Sequence, residues 1–177
     1  MLKRFSARDL ILITSIAALG IAVKPIINPF TKMVSMPLGI PGGSLAGGLY
    51  MLWLVLALCI VRKKWTGTIF GMLQAVLVLL IGMAGKMGAF SLVAYTIPGI
   101  VADLVFFGGL KPEKLFTHLL LCAMANLAGS VVTALFFFHH PLPVLALNSG
   151  LAIISGLSGG ALSFGIYQAL QKARILS

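Results

Sequence analysis

The first apolar run of the chain, LILITSIAALGIAVKPIIN at positions 10–28, decides the fold class. A helix that crosses a membrane needs about 20 mostly apolar residues, and this run has nearly that length. Thr14, Ala18 and Ala22 recur at every fourth position, so they share one face of the predicted helix, where small side chains let a second helix come close. We interpret these three residues as a docking strip for a partner protein; packing against another helix of the same chain is the alternative.

The composition extends this interpretation to the whole chain. Of the 177 residues, 60% are hydrophobic and 9% are charged, and the mean hydropathy is +1.11. Such values are typical of integral membrane proteins and lie far from those of soluble domains. We predict an all-α fold, with a single domain over 1–177 that forms a bundle of six transmembrane helices. Their expected ranges are about 10–28, 43–61, 65–83, 90–107, 112–138 and 148–171.

The net charge of +10 indicates membrane topology and not nucleic-acid binding. The basic residues lie in short clusters at the ends of the apolar runs, without the aromatic residues that interleave a nucleic-acid interface. If both termini are cytoplasmic, only Lys24, Lys32 and Lys86 lie outside, which satisfies the positive-inside rule. The inner basic residues are then Lys3, Arg4, Arg8, Arg62, Lys63, Lys64, Lys111, Lys114, Lys172 and Arg174. We therefore expect a multi-pass protein of a bacterial or archaeal cell membrane with both termini in the cytoplasm.

The backbone is expected to be irregular where the first helix reaches the outer surface. Pro25 and Pro29 follow Lys24 closely, and proline ends or kinks a helix. We expect the Lys24 side chain to extend to the outer membrane interface. The proline-rich positions 26–41 would then form an outer loop folded over the bundle, either as a lid over a site or as a plain linker.

The sequence has no nucleotide-binding loop of the GxxxxGK[ST] type. If the chain takes part in active transport, the energy comes from a partner, and we expect no cofactor on this chain. The two cysteines, Cys59 and Cys122, fall in different predicted helices and form no CxxC pair. We interpret both as packing residues and expect no metal site.

One short motif raises the possibility of an intramembrane enzyme. The sequence Gly156-Leu157-Ser158-Gly159 matches the GxSG motif of the rhomboid family of intramembrane serine proteases, whose serine needs a histidine at the same depth. At 1.5 Å per residue, Ser158 lies roughly 15 Å from the levels of both His139 and His118. We therefore interpret the motif as tight helix packing and expect no enzymatic activity.

Apart from Glu113 in the first turn of the fifth expected helix, Asp103 is the only acidic residue within a predicted span, and an intramembrane acid is a functional candidate. Counting residues from the nearest turns places Asp103, His118 and Gln74 at similar depth, about 10 Å from the inner surface. This inner polar layer predicts either a structural hydrogen-bonded pair of Asp103 and His118 or the proton relay of a secondary transporter.

A second set of polar residues lies nearer the predicted outer surface. With apolar walls from Trp53 and phenylalanines, it could form the mostly apolar pocket with few polar groups that is typical of small-molecule sites. This side offers no carboxylate partner for a cation, so a neutral or weakly anionic ligand is favoured. The candidate substrate-binding residues are Lys86, Tyr95, Asn126, His139 and Asn148.

With six predicted helices, a basic N-terminal segment, a long outer loop and the AxxxA sequence from Ala18 to Ala22, the chain resembles a known family. It is similar over its whole length to the substrate-binding S component of an energy-coupling-factor (ECF) vitamin transporter. The resemblance implies that Ala18 and Ala22 dock on a membrane coupling subunit driven by two cytoplasmic ATPases, and we extend this strip to Thr14. It also implies a substrate held near the outer surface and released when the S component topples in the membrane.

The resemblance does not select the substrate. The chain cannot be assigned to the riboflavin, thiamine or biotin subfamilies, whereas cobalamin, one of its precursors or a pyrimidine remains open. A self-sufficient proton-coupled secondary transporter that uses Asp103 and His118 is the alternative function.

Overall fold

The computed structural model describes residues 5–37 and 42–174. Lys3 and Arg4 of the inner basic set, and positions 38–41 of the expected outer loop, lie outside these ranges. The described part is helical and contains no strand. Its helices are α1 (Ala7–Ala22), α2 (Lys24–Ser35), α3 (Gly42–Val61), α4 (Thr66–Leu80), α5 (Ser91–Phe106), α6 (Leu115–Phe136) and α7 (Leu142–Lys172), with a 3-10 helix (Gly85–Phe90) directly before α5.

Helix length and composition support a multi-pass membrane protein. Within the described residues, four helices are long and apolar enough to cross a membrane, namely α3, α6, α7 and α5 taken with its 3-10 helix. The pair α1 and α2 passes the same test as one unit bent by 44°, which raises the number to five, whereas α4 is apolar but has only 15 residues. The all-helical class is confirmed, and the count of six spans and the cytoplasmic location of the termini stay predictions.

One end of the bundle holds most of the basic residues, and we call it the basic end. Two ion pairs join helix ends there: Arg62 Nη2 lies 2.9 Å from Glu113 Oε1, and Lys63 pairs with Asp9. Asp9 also accepts a hydrogen bond from the backbone N–H of Ser6 at 2.7 Å, in a capping box that starts α1. Two ion pairs thus mark the basic end, and the α1–α2 bend, the 3-10 helix and the α6–α7 turn form the opposite end.

The prediction of an irregular loop at positions 26–41 is wrong over its first part, because the chain is helical there and α2 continues to Ser35. Pro25 lies in the first turn of α2, where a backbone N–H has no intrahelical acceptor, so proline costs no hydrogen bond there. Pro29 is tolerated inside the helix. Ile26 and Phe30 expose 67% and 69% of their surface. These exposed apolar side chains are what a helix at the membrane interface presents to lipid.

The last helix also begins earlier than the sequence suggests, at Leu142 instead of near position 148. The two prolines of the predicted turn, Pro141 and Pro143, lie at its N-cap and in its first turn. Proline fits these positions because the first N–H groups of a helix have no intrahelical partner.

Helix α3 forms the centre of the bundle, where it packs against α1, α2, α4, α6 and α7. The close packing depends on glycine. A Cβ atom built on Gly159 of α7 would lie 2.0 Å from the carbonyl oxygen of Gly48 in α3, and one built on Gly99 of α5 would lie 2.2 Å from that of Gly67 in α4. Small residues therefore bring the helix backbones into direct contact, as in other membrane bundles.

Candidate functional site

A cavity of about 360 Å³ opens at the end of the bundle opposite the basic end. This volume is at the lower end of the range found for small-molecule sites. Walls come from α2, the first half of α3, the 82–88 turn, the start of α5 and the second half of α6. Its polar lining consists of Asn28, Thr31, Lys32, Ser44, Tyr50, Tyr95, Asn126, Ser130 and Thr133, and its larger apolar lining side chains are Met51, Met83, Met87 and Phe138.

Two buried asparagines hold the inner wall of this cavity. Asn126 Nδ2 donates to the carbonyl oxygen of Ala152 at 2.8 Å and to that of Ser44 at 3.3 Å. Asn148 accepts a hydrogen bond from the Ser44 hydroxyl and donates to the Ser130 carbonyl oxygen at 3.3 Å. These bonds cross between α3, α6 and α7, so the wall is a preorganised polar surface.

Gly47 gives Asn126 the room it needs. A Cβ atom at position 47 would lie 1.7 Å from Asn126 Oδ1. Within the described residues, that oxygen accepts no hydrogen bond while the Nδ2 atom of the same side chain is fully used. Asn126 therefore offers a carbonyl oxygen at the cavity wall.

The Lys24 side chain is buried in the bundle beside the cavity and does not extend outward, which corrects the expectation for this residue. Only 3% of its surface is exposed, and its Nζ atom is 4.0 Å from the ring centroid of Tyr95 and 5.2 Å from that of Tyr50. Both tyrosine rings line the cavity, and the Tyr50 hydroxyl donates to Asn28 Oδ1 at 2.7 Å. The bend after α1 turns this lysine into the bundle, where the two aromatic faces receive it.

The five sequence-predicted binding residues occupy different positions. Tyr95 and Asn126 line the cavity, and Asn148 lies directly behind its wall, where it is fully buried. Lys86 and His139 are exposed and do not belong to the lining.

Several lining residues were missed because α2 was interpreted as a loop. This helix contributes Asn28, Thr31 and Lys32. The signal that could have found Tyr50 was its position well inside an apolar run, away from the interfacial aromatic belt. Trp53, expected in the cavity wall, instead lines a groove of about 690 Å³ bordered by α1, α3 and α7.

The cavity lining contains no histidine, cysteine, aspartate or glutamate. Among residues 5–37 and 42–174, no three side chains of these types come together as metal ligands would. The chemistry of the site is that of hydroxyl groups, amides, thioethers, aromatic rings and two nearby lysines.

Asp103, the intramembrane acid, caps the start of α4. Its Oδ1 atom accepts the backbone N–H of Gly67 at 2.9 Å, and Oδ2 accepts the N–H and the hydroxyl of Thr68 at 2.8 and 2.7 Å. The first N–H groups of a helix lack intrahelical partners and carry partial positive charge, so a carboxylate is a suitable acceptor there.

The expected pair of Asp103 and His118 is not formed, because each residue has other partners. His118 Nδ1 lies 2.9 Å from Ser163 Oγ and Nε2 lies 3.0 Å from the Pro112 carbonyl oxygen. Gln74, the third member of the predicted layer, contacts the carbonyl oxygen of Ala17 at 3.5 Å. The three residues of the predicted inner polar layer therefore bond to separate partners and form no hydrogen bond with one another.

We expect Asp103→Asn to destabilise the fold without changing ligand affinity. The amide keeps one acceptor oxygen, so at least one buried N–H group at the start of α4 loses its partner, at a cost of about 1–3 kcal/mol. Thermal unfolding in detergent and ligand binding by the folded fraction measure the two effects. Loss of binding or transport at unchanged stability would instead favour a proton relay.

The docking strip lies on the exposed side of α1. Thr14, Ala18 and Ala22 are all exposed, and the opposite side of the same helix makes the contacts within the chain. The inward residues are Ile13, Ile16, Ala17, Gly20 and Ile21. The structure therefore leaves the strip exposed and does not bury it against another described helix of the same chain.

The GxSG motif serves helix packing. A Cβ atom on Gly156 would lie 2.5 Å from Ala123 Cα, and Gly159 contacts Gly48 as described above. Ser158 is exposed, and its hydroxyl donates to the carbonyl oxygen of Ser155 at 2.7 Å. Ser158 therefore has no histidine partner within the described residues.

Comparison with known proteins identifies a family of transport proteins. Residues 8–128, about two thirds of the chain, match a family described as "ABC-type cobalt transport system, permease component". The match runs from α1 into α6 and includes the docking strip, Lys24 and most of the cavity lining. No curated protein and no solved structure matches the sequence.

Proposed function

Because the chain belongs to the family of permease components of ABC-type cobalt transport systems, we propose that it is the substrate-capture subunit of an ECF-type importer. The family makes it a membrane component of a transport system; the capture role is our inference. The observation that supports this role most directly is the cavity of about 360 Å³ at the predicted outer end. The chain would take a solute there from outside and deliver it inward with partner subunits.

The substrate in this proposal is a small organic molecule and not a bare metal ion. First-row divalent metals are held mainly by imidazole, thiolate and carboxylate groups, and the cavity lining has none of these. Lys32 in the lining and Lys24 behind it would also repel a divalent cation. A neutral or weakly anionic vitamin-like compound suits the hydroxyl, amide and aromatic groups better.

The partners in this proposal are a membrane coupling subunit and two ATPase subunits. The exposed docking strip supports such contact, since three small side chains in a row on a helix surface let another helix approach closely. The absence of a nucleotide-binding loop from the sequence supports an external energy source. The chain itself would need no cofactor and catalyse no reaction, while the partners use ATP.

The alternative, a secondary transporter driven by Asp103 and His118, has less support. Both oxygens of Asp103 are engaged by the start of α4, and His118 bonds to Ser163 and Pro112. A proton relay needs groups that can pass a proton to one another, and these two are not in contact.

Native mass spectrometry and reconstitution test the proposed function together. We expect the purified chain to retain a small organic molecule, and Thr133→Phe, which fills the cavity, to release it. The Thr133 hydroxyl bonds within its own helix, to the Gly129 carbonyl oxygen at 2.7 Å, so this change removes no hydrogen bond between helices. Leu135→Phe, an exposed position on the same helix, is the matched control.

In proteoliposomes the chain alone should not concentrate any solute, and uptake should require the coupling subunit, the ATPases and ATP. Concentrative uptake by the chain alone, driven by a proton gradient, would overturn the proposal in favour of a carrier. Retention of the small molecule by Thr133→Phe would place the binding site elsewhere and would also overturn the proposal, because the capture role rests on this cavity.

A further inference from the structure

Lys24 is a buried lysine for which the described part of the chain provides no counterion. The sequence contains three acidic residues in all. Asp9 pairs with Lys63, Glu113 pairs with Arg62, and Asp103 caps α4, so each is engaged away from the cavity. The Lys24 Nζ atom also has no hydrogen-bond acceptor among the described residues.

A membrane protein gains nothing in stability from such a group. Burying an unpaired ammonium is costly, and the faces of Tyr95 and Tyr50 at 4.0 and 5.2 Å compensate for only part of that cost. An intramembrane ionisable residue of this kind usually has a functional partner. The missing partner is therefore expected to come from outside the chain.

The position of the ammonium shows where that partner would lie. Tyr50 and Tyr95 both contact Lys24, and both line the cavity, so the ammonium lies directly beside two residues of the cavity lining. An acidic group that entered between the two rings would reach Lys24 while the rest of the molecule contacted Met51 and Phe138 in the apolar lining. Lys32, exposed at the α2 side of the same cavity, adds positive potential that attracts an anion.

We propose that Lys24 binds the acidic group of the transported solute, and that this solute is a small organic monoanion such as a carboxylate. The inference rests on the proposed function, since it assigns a substrate class to the same cavity. It narrows the earlier choice between a neutral and a weakly anionic ligand to the anionic one.

Benzoate and benzamide are suitable probes because they have nearly the same size and differ in charge. For the wild-type protein in nanodiscs, calorimetric titration should show that benzoate binds at least about tenfold more tightly than benzamide. Lys24→Met should abolish this preference, and Lys24→Arg should restore part of it. Lys32→Met should reduce benzoate affinity by a smaller factor, and Lys111→Met, an exposed lysine at the basic end, is the control.

Thermal unfolding without ligand separates a binding lysine from a structural one. Methionine replaces an unpaired buried charge with an apolar side chain of similar length, so Lys24→Met should unfold at the same or a higher temperature than the wild type. If Lys24 is a binding residue, Lys24→Met should therefore lower the affinity for benzoate without lowering the unfolding temperature. Marked destabilisation of Lys24→Met would assign Lys24 a structural role and overturn the proposal.

Further results would also overturn it. One is the absence of any carboxylate preference in the wild type, and another is a preference that survives Lys24→Met or depends on Lys32 instead. If Thr133→Phe releases the copurified molecule while Lys24→Met retains it, the proposed function stands and this inference fails. If Thr133→Phe retains the molecule, the proposed function itself fails.

Discussion

Tryptophan at both Ala18 and Ala22 should abolish ATP-dependent uptake by the assembled transporter and leave ligand binding by the isolated chain unchanged. Both alanines are exposed on α1, on the side opposite its buried residues. Two indole side chains would hold a partner helix several ångströms away, where the close packing that joins membrane helices is lost. Uptake in proteoliposomes, pull-down of the coupling subunit and ligand binding in detergent measure the three effects.

The control for this double variant is tryptophan at Ala161 and Gly165 of α7. These two residues have the same spacing, both are exposed, and a Cβ atom at position 165 would meet no atom within 4 Å. Uptake should remain within about twofold of wild type, as expected for exposed sites away from a contact. Equal loss of uptake in both double variants would show a general effect of bulky residues on the membrane surface, and loss of ligand binding with the Ala18 and Ala22 changes would contradict a pure docking role.

Much of the fold is predictable because it depends on local patterns. The expected helices at 43–61 and 90–107 match α3 and α5 to within one residue at each end, since apolar length and flanking glycines or basic residues mark their limits. The four-residue spacing of Thr14, Ala18 and Ala22 also places the three residues on one side of α1, and that side is exposed in the structure. Patterns of this kind need no knowledge of neighbouring helices.

The cavity was only partly predictable because its key features depend on tertiary contacts. Proline at 25 and 29 suggested broken backbone, but α2 tolerates one in its first turn and one inside. A lysine next to a membrane surface normally extends to the interface, and only the meeting of Tyr50 from α3 with Tyr95 from α5 explains why Lys24 is buried. No spacing in a single sequence shows that these three residues come together.

Substitution of Gly159 should have the largest effect on the fold itself. In Gly159→Ala the new Cβ atom would lie 2.0 Å from the carbonyl oxygen of Gly48 and 2.7 Å from its Cα atom. These are backbone atoms, which cannot move aside as a flexible side chain would, so α7 must shift away from α3. We expect destabilisation of about 3 kcal/mol or more, at the upper end for overpacked sites, and a sharply lower yield of folded protein.

The displacement would also reach the ligand cavity, because the same crossing of α3 and α7 sets its inner wall. The hydrogen bond from the Ser44 hydroxyl to Asn148 joins these two helices, and the Gly48 N–H donates to Ser155 Oγ at 3.0 Å across the same contact. Any Gly159→Ala protein that folds should therefore bind ligand more weakly. Gly165→Ala, one and a half turns further along α7 in open space, should be neutral or slightly stabilising because alanine favours a helix. Similar melting temperatures for the two variants would show that the Gly48–Gly159 contact yields easily and does not hold the cavity wall in place.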